Sequence, residues 1–203
     1  MQTVYPTLQE NVDYMNCVLP VKESFDLIQR DIIIGERKST FYFVDGMMKD
    51  EAMVKIMAAF FAIKKEDMPS SATGFSKLVV PYVEVDVIGD FDLIIRNILS
   101  GVTCMFIDGY EACIAIDCRT YPARSVEEPS KDKSHRGSRD GFVETIVFNT
   151  ALIRRRIRDP HLVMKMFDVG RSSRTDVTLC YMEEYLHLLH DVITLLFSQS
   201  SSH

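Results

Sequence analysis

Arg154, Arg155, Arg156 and Arg158 form the densest run of chemistry-bearing side chains in the chain, and the acids Glu127, Glu128, Asp140 and Glu144 precede them. Guanidinium groups bind carboxylates and phosphates in a bidentate fork. Such a cluster could read nucleic acid, hold an anionic ligand or lock two parts of a fold together. A phosphate-reading stripe keeps its arginines on one side. On a helix, Arg154 and Arg158 share one side, Arg155 lies behind them and Arg156 lies across. The expected chemistry is therefore ion pairing to Glu127, Glu128 or Asp140, together with complementation of a helix C-terminus. Partly desolvated bidentate pairs of this kind could fix the orientation of two lobes.

Catalytic chemistry finds no comparable support. His135 lies in a charged loop and His161 follows Pro160; neither has a Ser or Cys nucleophile at a recognisable spacing. Cys113 and Cys118 are an odd number of positions apart, so one regular strand points them to opposite faces and they cannot share a metal. Asp108-Gly109 after an apolar run is a turn, not a phosphate-cradling loop. The chain reads as non-enzymatic, with no catalytic residue, cofactor or metal site.

The arginines close a segment that reads as a loop feeding a long helix. Gly137 and Gly141 loosen the loop, and Asp140 and Glu144 put negative charge at the helix N-terminus. Asp159-Pro160 stops the helix, because a residue before proline is pushed out of the α region. Phe142, Ile146, Ile153 and Ile157 form one apolar stripe, widened by Val143 and Val147 on one side and by Leu152 and Phe148 on the other. Asn149 falls inside that stripe, so its amide must be paired if it is buried. A helix apolar over so much of its circumference is expected between two lobes.

Composition bounds the rest. With 203 residues and 47% hydrophobic content, the chain can bury one full domain and part of another. A net charge of -6 argues against nucleic-acid binding. No apolar run approaches the roughly 20 residues of a spanning helix, and the N-terminus is no signal peptide. The chain thus reads as soluble. Five cysteines, an odd number scattered through apolar runs, read as reduced thiols.

Residues 1–30 are expected to be an N-terminal helical arm, with Val21, Phe25 and Ile28 at helical spacing. Residues 31–118 read as a first α/β lobe. Asp31–Ile34 and Ser39–Val44 form a hairpin across a four-residue turn, and Asp50–Ile63 is a helix. Residues 64–77 are a loop. Tyr82–Val87 is a strand with Val83, Val85 and Val87 inward, and Phe91–Leu99 is a helix capped by Ser100-Gly101. Val102–Ile107 and Tyr110–Ile116 form a hairpin on a two-residue Asp-Gly turn, which sets Cys104 opposite Cys113 as unbonded neighbours. This order predicts one mixed sheet with flanking helices. Residues 119–139 are a charged linker. Residues 140–184 hold the connecting helix, a second short helix at His161–Phe167 and a strand at Asp176–Tyr181 that opens a second lobe. Residues 185–203 are a divergent tail, and the chain reads as a truncated form.

The run Arg136-Gly137-Ser138-Arg139-Asp140-Gly141-Phe142-Val143-Glu144, with Phe148–Ile157 after it, resembles the GerA family of spore germination proteins. Glu127-Glu128-Pro129 and Val169–Thr175 fit the same pattern, and the resemblance covers roughly residues 9–184. Ser138, where many germinant-receptor A subunits have proline, and Thr120–Arg124 make a sporulation-protein branch the closer match. The resemblance implies the N-terminal cytoplasmic portion of a spore inner-membrane protein that serves assembly and gating of a membrane complex. The implied partners are other spore-membrane germination proteins and further copies of the full-length protein. The implied interaction residues are Glu127, Glu128, Arg136, Arg139, Asp140, Glu144, Asn149, Arg154, Arg155, Arg156 and Arg158. A second reading is a small-ligand sensor with its cleft near Arg136, Arg139 and Arg155.

Overall fold

Cys104 and Phe106 alternate with Met105 and Ile107 along one strand, and all four side chains are buried. A strand buried on both faces needs cover on both. The architecture supplies it. A computed structural model describes residues 2–121 and 142–185, without the side chain of the last. The elements are α1 (Leu8–Val18), β1 (Leu27–Ile34), β2 (Arg37–Val44), α2 (Asp50–Ala62), α3 (Ala72–Leu78), β3 (Val85–Ile88), α4 (Phe91–Leu99), β4 (Thr103–Ile107), β5 (Cys113–Ile116), α5 (Ile146–Arg156), β6 (Leu162–Val169) and β7 (Thr175–Met182). Strands β1 to β5 form one sheet in the order β1-β2-β4-β5-β3. Leu8 and Met15 of α1 and Phe91, Ile94 and Ile98 of α4 pack on the face carrying Tyr42, Cys104 and Phe106. Ile56 and Phe60 of α2 and Phe75 of α3 pack on the face carrying Phe41, Met105 and Ile107. The result is a helix–sheet–helix sandwich, the expected α/β lobe, extended by α5 and a β6–β7 ribbon.

Several details depart from expectation. Every described pairing in the sheet is antiparallel, where a mixed sheet was expected. The N-terminal helix is α1; residues 21–23 form a turn instead, and β1 already starts at Leu27. Pro6 and Pro20 bracket the true helix, and each lies where a proline ends or begins helical backbone. The first hairpin turns on two residues, Gly35 (φ +51) and Glu36 (φ +65). Two positive φ angles are what a type I′ turn demands, and the tighter turn frees Arg37 and Lys38 to join β2. The expected loop at residues 64–77 instead runs into α3, whose N-cap Ser71 accepts a hydrogen bond from the Gly74 amide at 3.1 Å. Of the three valines expected inward, Val85 packs against the α2–α3 core, whereas Val83 is 97% exposed and Val87 37%; Ile88 is buried in the opposite core.

In the second hairpin, Cys104 pairs with Ala115 and Met105 with Ile114. The Asp108-Gly109 turn is there, with the Tyr110 amide donating to the Ile107 carbonyl at 3.1 Å, but Tyr110, Glu111 and Ala112 lengthen the loop. The Asp108 carboxylate accepts from the Leu8 amide at 3.0 Å, tying the turn to α1. The register is therefore displaced by two positions from the expected one. An even displacement preserves facing. Cys104 and Cys113 stay on one face and are free of a disulfide. Burial pushes the Cys104 thiol well above its ordinary value, and Cys113 adds to the shift.

The expected helix at His161–Phe167 is strand β6, paired along its length with β7 from Leu162 opposite Met182 to Val169 opposite Thr175. A short apolar run does not distinguish buried helix from strand. Tertiary pairing decided it.

Candidate functional site

The connecting helix is shorter than its apolar pattern suggested. It begins at Ile146, and Phe142 (65% exposed), Phe148 (45%) and Ile157 (43%) face solvent. Its buried residues are Thr150, Ala151 and Arg154. Asn149 is half-buried and its amide is paired, as expected. Its Oδ1 accepts from the Val143 amide and its Nδ2 donates to the Val143 carbonyl, both at 2.7 Å, clamping the chain that enters the helix. The Thr150 hydroxyl donates back to the Val147 carbonyl at 2.9 Å, which removes a polar group from the contact face. That small face presses on the β2–α2 loop. A Cβ on Gly46 (φ +76) would lie 2.9 Å from Val147 Cγ1 and 3.3 Å from Ala151 Cβ, so glycine is required for the approach.

One turn further on, the helix delivers Arg154 into a fully buried junction. Its Nε donates to Asp26 Oδ2 at 2.8 Å and its Nη2 to Asp26 Oδ1 at 3.1 Å. Nη2 also donates to the Leu162 carbonyl at 2.8 Å, and Nη1 to the Asp159 carbonyl at 3.0 Å. Ser24 completes the knot: its hydroxyl donates to Asp26 Oδ1 at 2.5 Å and accepts from the Met164 amide at 2.9 Å. The Phe25 amide donates to the Met164 carbonyl at 3.0 Å, and the Asp45 amide to the Asp26 carbonyl at 2.8 Å. Arg154, Asp26 and Ser24 are each 1% exposed or less. One ion pair thus joins the start of β1, the end of β2, α5 and β6. Cys180 of β7 feels it: burial raises its thiol, with Asp26 adding to the rise and Arg154 opposing it.

Ion pairs inside a protein bring little net stability, because desolvating both charges offsets their attraction, whereas removing one partner is costly. Such a pair acts chiefly through direction: five donors in a rigid plane are satisfied in one arrangement. Among the described arginines, Arg154 is the buried one, and Asp26 is a carboxylate that it pairs with. Glu127, Glu128, Arg136, Arg139 and Asp140 lie outside the described residues. Arg155 stacks over Tyr121, its guanidinium carbon 4.2 Å from the ring centroid, while Arg119 approaches the same ring at 5.9 Å. Arg119 is in turn held by Asp117. The Arg158 Nε donates to the Arg155 carbonyl at 3.2 Å, and Arg156, Arg158 and Glu144 are exposed. His161 Nδ1 sits 2.9 Å from Asp159 Oδ1 at the surface; hydrogen bonds from the His161 amide and ring hold that carboxyl below its usual range.

Beside the Gly46 contact lies an open groove of about 890 Å³ between the N-terminal ends of α2 and α5, lined by Asp45, Lys49, Glu51, Tyr82, Thr145 and Phe148 among others. Arg155 does not line it. Among the described residues, no cluster of His, Cys, Asp or Glu could hold a metal ion, and no helix is long and apolar enough to cross a membrane.

The sequence model of the Bacillus/Clostridium GerA spore germination proteins matches residues 17–190. The chain belongs to the GerA family. It is 35% identical over 183 residues to stage V sporulation protein AF of Bacillus subtilis (strain 168), covering 89% of this chain and 37% of that protein. It is 33% identical over 167 residues to spore germination protein GerLA of Bacillus cereus, covering 80% and 34%. The chain thus spans little more than a third of the length of these GerA relatives. The fold is that of the crystallised N-terminal domain of the A subunit of the Bacillus megaterium spore germinant receptor GerK3, at a TM-score of 0.69 and 18% identity over 96% of this chain and 72% of that one. The family match runs through both Ser24-Asp26 and Arg154, so the junction falls inside the GerA region of the chain.

Proposed function

We propose that this chain is a non-enzymatic coupling module of a GerA-family spore membrane protein, serving assembly and gating of a membrane complex in sporulation or germination. In this reading the sandwich is one lobe and the β6–β7 ribbon begins a second. The Arg154–Asp26–Ser24 junction holds their relative orientation and is the observation that carries the reading. The setting is the cytoplasmic side of the spore inner membrane, and the partners are other germination proteins and further copies of the full-length protein. The inter-lobe contacts include Arg155 and Asn149 beside Arg154.

The test places Asp26→Asn in the full-length protein in sporulating cells. Normal protein levels with less cross-linked membrane complex and slower germination are expected. Normal complex and normal germination in that variant would overturn the coupling role.

The groove of about 890 Å³ supports a second reading, a sensor for a small polar ligand. Thermal-shift titration with amino acids, sugars and nucleotides separates the two. A reproducible dose-dependent rise in Tm favours the sensor; a flat response favours the coupling module.

A further inference from the structure

Two sheet edges meet at the junction and then part. The Phe25 amide, just ahead of β1, donates to the Met164 carbonyl of β6 at 3.0 Å. That is one rung of a ladder between the sandwich and the ribbon, and among the described residues no second rung follows. In an antiparallel pair, backbone groups point alternately toward the partner strand and away from it. The Asp26 carbonyl accepts from the Asp45 amide on the β2 side, so Ile28 also faces β2, while Leu27 and Gln29 face outward. Met164 turns both its carbonyl and its amide away from β7, the amide donating to Ser24 Oγ at 2.9 Å. Met166, two positions on, points the same way. These two outward edges wall an open groove of about 470 Å³, lined by Leu27, Ile28, Gln29, Lys165 and Met166 among others.

Open amides and carbonyls on a sheet edge are completed by extended backbone. A groove between two such edges asks for a strand that pairs on both sides at once. A helix cannot serve, because its backbone groups bond within itself. The side chains say which strand fits. Phe25, Ile28 and Met166 are half-buried on the walls and offer apolar contact. Lys22 and Lys165 outnumber Glu23 in the lining, against a net charge of -6 for the whole chain. Among the described residues neither lysine has a carboxylate partner. A patch whose sign runs against the rest of the molecule selects a partner of the opposite sign. We propose that the fork between β1 and β6 takes up one extended segment of a partner protein as an added strand, apolar at its centre and flanked by carboxylates.

Main-chain hydrogen bonds to Gln29 and Met166 would give the affinity, and the apolar walls and lysines the selectivity. The added strand would carry the five-stranded sheet on into the ribbon and stiffen one against the other. This inference goes beyond the coupling role and is tested without touching Asp26, Ser24 or Arg154, so either can fail alone.

The test selects a phage-displayed library of random octapeptides on the 203-residue chain and reads the enriched peptides, once synthesised, by amide exchange. The enriched peptides are expected to be rich in β-branched residues and flanked by Asp or Glu. At saturation they should slow exchange at the Gln29 and Met166 amides by about tenfold. The Ile28 and Lys165 amides, already facing β2 and β7, should not change. Lys165→Glu, an exposed position, should weaken binding several-fold with an unchanged melting curve. Gln29→Pro removes an outward N–H where an edge strand tolerates proline, and should abolish binding. N-methylation of alternate peptide amides should abolish it too, with the protein untouched. No enrichment, binding that survives N-methylation, or protection confined to other residues would overturn the proposal. So would slow exchange at both amides in the chain alone, which would mean that the chain fills its own fork. Protection that grows with protein concentration, the mark of a second copy in the fork, would overturn it as well.

Discussion

The sandwich and the junction hold the same chain together by opposite means. Between α2, α3 and the sheet, the Phe60 ring centroid lies 6.0 Å from that of Phe41 and 5.3 Å from that of Phe75, an apolar contact. At the junction, Asp26 and Arg154, 128 positions apart, meet through oriented hydrogen bonds shielded from solvent. Apolar packing is tolerant of small displacement; a buried ion pair is not. The first makes a lobe stable, and the second makes an arrangement of segments unique. The contrast predicts that damage to the two regions will look different even at similar cost.

The largest effect should come from leaving Arg154 buried and alone. Asp26→Ala is expected to cost about 3–5 kcal/mol in urea unfolding, and to release α5 and the β6–β7 ribbon before the sheet, seen as early amide exchange in residues 146–182. The charge-free pair Asp26→Leu with Arg154→Met should recover most of that loss. If it recovers nothing, the hydrogen bonds themselves, and not the unpaired charge, carry the stability. Phe60→Ala should cost about 3–4 kcal/mol, but as one cooperative transition with exchange accelerated evenly.

A smaller effect is expected at Tyr121. Arg155→Gln removes the guanidinium stacked on that ring and should cost about 0.5–1 kcal/mol in a thermal melt, whereas Arg158→Gln should change stability by less than about 0.5 kcal/mol. Equal losses would erase the distinction drawn between neighbouring arginines.

The smallest is a pH effect. The Arg119 guanidinium hydrogen-bonded to Asp117 holds that carboxyl below its ordinary range, against a lesser opposing push from burial. The unfolded chain therefore binds this proton at a higher pH than the folded one. The contribution is fully present above about pH 4 and is lost as pH falls through the lower folded value. Asp117→Asn should flatten the acid limb of the stability curve and leave neutral pH little changed.

Much of the sandwich was legible because its signals are local. Gly35 and Asp108-Gly109 marked the hairpins, and Ser100-Gly101 marked the end of α4 with Gly101 at φ +97. The β6 strand was not legible, since Leu162-Val163-Met164 suits either periodicity until β7 pairs with it. Within the candidate site, the arginine run and the paired Asn149 were visible. Asp26 was not, because its partner lies far along the chain and leaves no spacing to read. Two clues existed: an acid set between Phe25 and Leu27, and Arg154 falling on the same helical face as Thr150 and Ala151. The stripe through Phe142 and Ile157 misled because it assumed a helix longer than the Asn149 clamp on Val143 allows.

The five-residue connection between β4 and β5 must conserve parity rather than length. Deleting two of residues 108–112 would slide one strand along the other and leave every side chain on its own side. Deleting one would send Cys113 and Ala115 toward α2, and Ile114 and Ile116 toward α1 and α4, exchanging the two interiors along a whole strand. Insertions in this loop should therefore be tolerated in twos.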